Sequence, residues 1–555
     1  MSIGTSEDNA TSAPERPNII WIVLDELRPD ALGCYGAATA DTPNLDRLAA
    51  DGIRFDRAYC QSPVCVPSRA SFMTGKYPRS VDTYNNSMSL NLGAWHRRRL
   101  RQAVEDMGLD KWAGVLAARR ARYSQQISHL PGPVGDFFEQ VMANILAVRR
   151  FAIELGLDED GPRHAMVPEL LADVGYTTIN FGKLHHQAPT DGFQFNPVMP
   201  AADSVCGWGW RTDVAGDLDR VVRLEAGRRG VGLAVGGRWP EGLPSPEANV
   251  TDAAIDFVTQ QHSAPFLARV SYVWPHTPVL PVAPFDRLYG EEDFPINEPT
   301  SEELATQPEF IRSRLPASPP ARAPRARADY YGLVSYMDAE IGRLLDALDR
   351  SPHGGNTVVV LHADHGQLMG EHGWWSKSCF YDPVVRSPLL IRLPANAHAG
   401  TVIAEPVELL DVAPTLLSLA GAAPSAEMEG VDLVPAMSGR DRRPHAYAFS
   451  EIADASLAHA VPDEPTHVRR FISDGQWHLN ATMGPGFEVT DVGMYDLEAD
   501  SGEFHNLAGE TRTRAVELDL LDTLRDWSHR PQAKPNPPAV QSPRGDDEPV
   551  LRRWM

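Results

Sequence analysis

The chain has 555 residues, long enough for a large buried core and, as a length prior, for about four domains, which one big α/β unit can override. Hydrophobic residues make up 43 % and charged residues 23 %, the balance of a globular protein, and no apolar run is long enough to span a bilayer. A formal net charge of −23 repels nucleic acid and anionic membranes, so neither is expected as a partner, and a site for an anionic substrate must concentrate positive charge of its own.

The stretch before Pro17 is polar and acidic, without the basic and apolar regions of a secretory leader, so a cytoplasmic location is expected. Asn18 to Leu24 is an apolar run that reads as a fully buried strand, and it ends in two carboxylates, Asp25 and Glu26. Thr42-Pro43 opens a short helix that Gly52 can end, with Thr42 as its cap. In Ser62 to Gly75, Pro67 suits a first helical turn and Gly75 a stop, which puts Cys65 just before a helix N-terminus and Arg69 one turn on. On these residues alone, a packed core cysteine and a reactive one are both open. The other four cysteines, Cys34, Cys60, Cys206 and Cys379, have no zinc-like or disulfide-like spacing and read as buried thiols.

Residues 92–161 read as a helical insertion with an Arg-rich run at His96 to Arg99. Three further β-rich runs then repeat the first one's scheme. Tyr176 to Phe181 leads into Gly182-Lys183-Leu184-His185-His186, Pro265 to Val273 into Trp274-Pro275-His276, and Thr357 to Leu361 into His362-Ala363-Asp364-His365. Ligands of open parallel sheets bind beyond the carboxyl ends of the strands, so four strands deliver Asp25, Lys183, His276, Asp364 and His365 toward one edge. Leu333 to Leu348 and Leu409 to Leu419 have helical periodicity and serve as covers for the sheet. After about Ser438 short alternating strands follow, Arg469 to Leu479 and Gly493 to Leu497, and then a helix near Arg514 to Trp527. The organisation expected is a catalytic α/β domain over 1–438, a smaller α+β domain with an antiparallel sheet over 439–530, and a Pro-rich tail or oligomerisation arm over 531–555.

Taken together, these segments resemble the type I sulfatases, the formylglycine-dependent family of the alkaline phosphatase superfamily. Cys65-Val-Pro67-Ser-Arg69 resembles the signature that formylglycine-generating enzyme oxidises. Arg16 to Asp25 looks like the family's N-terminal strand with its first metal ligand, and Gly182-Lys183-Leu184-His185 is similar to its second signature. Pro275-His276-Thr277 matches a histidine that contacts the ester. Asp364-His365-Gly366 through Gly370-Glu371-His372-Gly373 to Lys377 matches the metal-ligand segment and its following lysine, with His372 orienting the loop. Tyr495-Asp496-Leu497 through Asn506-Leu507 resembles the C-terminal strand and turn, and Asn86 lies where several relatives place an amide against the transferred group.

The resemblance implies an alkaline phosphatase-like fold, a mixed but largely parallel sheet sandwiched by helices. It implies hydrolysis of a small-molecule aryl or alkyl sulfate monoester by a formylglycine made from Cys65, which formylglycine-generating enzyme supplies during maturation. One divalent metal ion would be held by Asp25, Asp364, His365 and an oxygen on modified Cys65, with Glu26 a further candidate. The imidazole favours manganese, calcium or zinc being the alternatives. Arg69, Lys183, Lys377 and Asn86 would hold the transferred group, His276 with Lys377 would protonate the leaving alcohol, and His185 would take the proton that releases sulfate. A homo-oligomer is expected. The alternatives are a phosphonate monoester or phosphodiester hydrolase of the same superfamily, and a non-catalytic metal-thiolate protein in which Cys65 stays reduced.

Overall fold

The structure is a computed structural model that describes residues 16–86, 163–185, 193–198, most of 244–453, and 467–535, with isolated positions besides. The expected insertion over 92–161, isolated positions aside, lies outside the described residues, as do His186, Cys206 and the tail after 535.

An eight-stranded sheet forms the centre. Its strands are β1 (Asn18–Asp25), β2 (Ile53–Tyr59), β3 (Thr177–Gly182), β4 (Phe195–Val198), β5 (Phe266–Pro275), β6 (Thr357–Ala363), β7 (Arg386–Arg392) and β8 (Thr401–Glu408), in the order β8-β2-β7-β6-β1-β5-β3-β4. All neighbours are parallel except β7, which runs antiparallel to both β2 and β6. The expected mixed, largely parallel sheet is therefore present.

The unbroken apolar run of β1 follows from its central place. Ile20, Ile22 and Leu24 face one core, while Ile19, Trp21 and Val23 face the other, and all six are fully buried. On the first face lie α1 (Pro43–Ala50) and the later helices over Pro246–Val258 and Ala323–Arg350. On the second lie α2 (Cys65–Thr74) and the helix over Val412–Leu419. In chain order these three later helices are α3, α4 and α5. The periodicity read over Leu333 to Leu348 belongs to a helix more than a turn longer at its N-terminal end. Thr42 does not cap α1 as expected. Its hydroxyl accepts from Gly33 N–H instead, and Asp338 of α4 takes the N–H groups of Asn44 and Leu45.

A second, four-stranded antiparallel sheet follows: β9 (Ala448–Ala453), β10 (Val468–Ser473), β11 (Trp477–Met483) and β12 (Val489–Asp496). The stretch Arg469 to Leu479, expected as one strand, is a hairpin that turns at Asp474-Gly475, where Gly475 takes φ 96°. Helix α6 (Arg514–Ser528) buries Leu520, Leu521, Leu524 and Trp527 against this sheet.

The two sheets are pinned by a buried polar knot. Glu408 accepts from Tyr77 Oη at 2.6 Å and from Phe449 N at 2.7 Å, and His445 Nε2 donates to Asp411 Oδ2 at 2.8 Å. Burial opposes charge on His445, yet Asp411 outweighs it and raises the ring to about 9, above the 6.5 of an ordinary histidine. A pKa raised by folding means that the ring stabilises the protein fully below pH 6.5 and loses that contribution as pH climbs through 9. The His445→Gln variant should therefore show a lower Tm near neutrality and a flatter decline of Tm toward alkaline pH. Calorimetry across that range checks it, and a parallel decline in both proteins would place the alkaline sensitivity elsewhere.

Candidate active site

Because β1, β5, β3 and β6 are adjacent and parallel, their carboxyl ends open on one edge. Leu24 lies opposite Ala363, Asp25 opposite Pro275 and Gly182 opposite Ser271, so Asp25, Lys183, His276, Asp364 and His365 emerge side by side.

Helix α2 points its N-terminus into this edge. Val64 is its extended N-cap, Cys65 is its first residue, and every residue from Cys65 to Thr74 is buried. Gly75 ends it at φ 68°, a left-handed stop that suits glycine. Asn86 Oδ1 accepts from Val66 N at 2.9 Å, capping the turn that carries Cys65. Ser68 Oγ donates to the Asp364 carbonyl at 2.5 Å and ties the helix to the end of β6.

Around Cys65 the charged groups close in. Its Sγ is 3.6 Å from Asp25 Oδ1 and 3.4 Å from His365 Nε2, and Lys377 Nζ donates to it at 2.8 Å. Arg69 holds both aspartates, with Nη2 3.0 Å from Asp25 Oδ2 and Nε 2.9 Å from Asp364 Oδ2, while its Nη1 donates to Ser271 Oγ at 3.0 Å. Lys183 pairs with Asp25 Oδ2. Asp25, Arg69, Lys183, Asp364 and His365 have no exposure at all, whereas the side chains of His276 and Lys377 keep 10 % and 12 %. Among the described residues, solvent therefore reaches the cluster past His276 and Lys377.

The protonation states follow from these neighbours. Burial works against the charge on Asp25, but Lys183, His276 and Arg69 outweigh it and hold the carboxyl well below the usual range. Burial likewise opposes the Lys377 ammonium, and Cys65, Glu26 and Asp25 more than compensate, so it stays charged. His185, buried at φ 46°, is pushed well down by burial and by the Lys183 and Arg69 cations, which leaves its ring neutral. His365 is also lowered by burial. Its Nδ1 faces the Gly366 carbonyl at 2.8 Å, and since a carbonyl only accepts, the proton sits on Nδ1 and the Nε2 lone pair faces Cys65.

Glu26 lies beside Asp25, and ligand atoms of Asp25, Glu26 and His276 come within 4.8 Å of one another. Its φ is 64°, and Tyr330 Oη donates to its carbonyl at 2.8 Å. Its Oε1 takes Lys377 Nζ at 2.6 Å and lies 3.4 Å from His276 Nε2, while Oε2 is buried without a hydrogen-bond partner among the described residues. Burial opposes its charge, and His276 and Lys377 outweigh that to lower its pKa. His276 Nδ1 sits 2.6 Å from the Thr277 carbonyl, which turns Nε2 toward the site.

Ligand atoms of Asp25, Cys65, Asp364 and His365 all lie within 4.8 Å of one another. Two carboxylates, an imidazole with its lone pair turned inward and the side chain at position 65 fit one divalent cation by donor chemistry. Lys377 rides on a loop held from outside the cluster. His372, at φ 58°, stacks on Tyr381 with centroids 3.8 Å apart and bonds Glu303 at 2.9 Å, so it braces the loop and touches none of the cluster residues named above. Ser68, Ser271 and Tyr330 join the site without being among the residues expected from the sequence. Ser271 had a signal, a small polar residue inside a buried apolar run, whereas the other two had none.

The sulfatase family model matches residues 17–109 and 139–422, over half of the chain. The chain belongs to the sulfatase family. A second model, N-sulphoglucosamine sulphohydrolase, C-terminal, matches residues 370–530 of this sulfatase. An arylsulfatase of Clostridium perfringens is 26 % identical, covering 79 % of this chain and 81 % of that protein. An N-acetylglucosamine-6-O-sulfatase of Bacteroides thetaiotaomicron is 22 % identical, covering 97 % and 90 %. Among solved structures, the phosphonate monoester hydrolase of Agrobacterium radiobacter superposes with a TM-score of 0.67 at 20 % identity, covering 92 % of this chain and 95 % of that one. A structure solved in complex with its substrate D-glucosamine-2-N,6-O-disulfate gives 0.63 at 20 % identity, covering 95 % and 100 %. Both establish the alkaline phosphatase-like fold. Family membership makes this chain a sulfuric ester hydrolase.

Proposed function

We propose that this sulfatase hydrolyses a small-molecule sulfate monoester by covalent catalysis through a formylglycine made from Cys65, beside one divalent metal ion held by Asp25, Asp364, His365 and residue 65. The observation that carries the reading is the setting of Cys65. It opens a fully buried helix and is ringed by Asp25, His365 and Lys377, a polar environment that a packed structural cysteine has no use for. A bound divalent ion would supply Lewis acidity at the transferred group.

The chain's own charges suit an anionic ester. Asp25, Glu26 and Asp364 are matched by Arg69, Lys183 and Lys377, so a dication leaves the site net positive inside a strongly acidic protein. Arg69 and Lys183 hold the position of Asp25 and, with Lys377, offer N–H groups to the sulfuryl oxygens. His276 Nε2 and Lys377 Nζ, at the wetter side, would give a proton to the departing alcohol. His185, its ring held neutral, would take one on the release of sulfate, the role that the family resemblance gives it.

Sulfuryl transfer passes through a loose transition state that puts charge on the leaving oxygen more than on the equatorial oxygens. A general acid and a lysine near that oxygen therefore favour sulfate over phosphonate esters. The expected result is a higher kcat/KM for a sulfate monoester than for a phosphonate monoester bearing the same leaving group. Replacing Lys183 and His185 by Tyr and Thr should narrow the gap. A clear preference for the phosphonate would move the protein to the phosphonate hydrolase reading.

A further inference from the structure

β5 outruns its neighbours. At Ser271 it is paired on both sides, with Val23 of β1 and Gly182 of β3. Past that point its register with β1 jumps, and the next pair is Asp25 with Pro275. β5 thus passes four residues while β1 advances two, and the bulge over Tyr272 to Trp274 takes the N–H groups of Val273 and Trp274 out of the β1–β5 ladder. Both residues are buried, where an N–H without an acceptor is costly.

Glu247 supplies the acceptor. Its Oε1 takes Val273 N at 2.9 Å and Trp274 N at 3.1 Å. It is the second residue of α3 (Pro246–Val258), whose cap is Ser245. One turn later Thr251 bonds the Tyr272 hydroxyl at 2.9 Å, so α3 grips the bulge twice. Among the described residues no ion pair engages Glu247, which is buried, and burial pushes its carboxyl up to about 7. A carboxyl buried without an ion pair among the described residues, with the charge of Lys183 favouring its ionised form, is a costly way to pack a helix against a strand, but an oxygen at this point satisfies both stranded N–H groups. Two residues beyond Trp274 comes His276, 3.4 Å from Glu26 Oε1.

We infer that Glu247 is a positioning residue for His276: it fixes the β5 bulge that sets the imidazole against the leaving oxygen of the ester. This rests on the proposed role of His276, and the test separates the two. In converted full-length enzyme, Glu247→Ala should lower kcat/KM for a primary alkyl sulfate by about ten- to a hundred-fold, and for para-nitrophenyl sulfate by less than about three-fold, because a misplaced acid matters most for a basic leaving group. Glu247→Gln, which keeps the accepting oxygen, should stay within about three-fold of the parent. In a His276→Ala background the Glu247→Ala change should cost less than about two-fold more. A full, additive loss in that background overturns the inference, as does a Gln variant as poor as Ala. Should Glu247→Ala not fold, Glu247→Asp, one methylene shorter, replaces it and must show the same leaving-group dependence and the same non-additivity. If His276→Ala itself hurts both esters equally, the general-acid role fails, yet non-additivity with Glu247 still decides the positioning.

Discussion

Replacing Cys65 by alanine should remove sulfate ester turnover by more than about 10⁴-fold while leaving the protein folded. Activity should vanish because no neighbour can take over. Asp25 is engaged by Arg69 and Lys183, and the other groups near Sγ are His365 and Lys377. Stability should survive because the Sγ contacts found are polar, while α2 is anchored in the core by Ala70, Phe72 and Met73. Alanine is also the better helix former at this first-turn position. Mass spectrometry of the peptide containing residue 65 completes the experiment. After co-expression with a formylglycine-generating enzyme, the parent should carry the aldehyde and its activity should scale with the converted fraction. Fully active protein with an unmodified thiol would overturn the covalent mechanism. Metal-loaded protein with an intact thiol and no turnover of any sulfate ester would instead be the metal-thiolate alternative.

Much of this site is legible in the sequence because parallel sheets put chemistry at strand ends. Asn18 to Leu24 is buried on both faces and so is apolar throughout, which makes the sudden Asp25-Glu26 stand out. The same contrast marks Lys183, His276 and Asp364-His365, and resemblance to a family adds Cys65, Arg69 and Lys377. What stays hidden depends on partners far along the chain. That Asp338 rather than Thr42 caps α1 is set by how α4 packs. That Arg469 to Leu479 folds back on itself turns on Gly475, a single residue in an otherwise strand-like run. The loop of Lys377 is shaped by Ser376 at φ 76° and Ser378 at φ 72°, conformations that serine seldom adopts and that no local pattern announces. Arg469 of the second sheet bonds the Ser378 carbonyl at 2.8 Å, so the smaller sheet helps to hold a loop of the larger one's site.

Stripping divalent metal should lower turnover by at least about 10³-fold, and manganese or zinc should restore it better than magnesium. The warrant is His365: with its Nδ1 proton fixed on the Gly366 carbonyl, Nε2 is a nitrogen donor aimed at Cys65 between Asp25 and Asp364, and nitrogen suits borderline cations more than hard ones. Calcium would need more oxygens, typically six to eight, and the nearest additional carboxylate is Glu26. As it stands, Glu26 Oε1 is committed to Lys377 and His276, and only its Oε2, without a hydrogen-bond partner among the described residues, could turn toward a cation. Glu26→Gln and His365→Ala therefore separate the two metal chemistries when metal affinity is measured by calorimetric titration, apart from any activity. His365→Ala should weaken manganese binding by more than about ten-fold, as loss of a direct ligand does, and Glu26→Gln by much less. Glu26→Gln should act instead on the proton donors, because Lys377 loses a carboxylate that helps to hold its charge and His276 loses the same contact. The reverse order of metal affinities, with calcium alone restoring turnover, would make Glu26 a ligand and remove His365 from the metal.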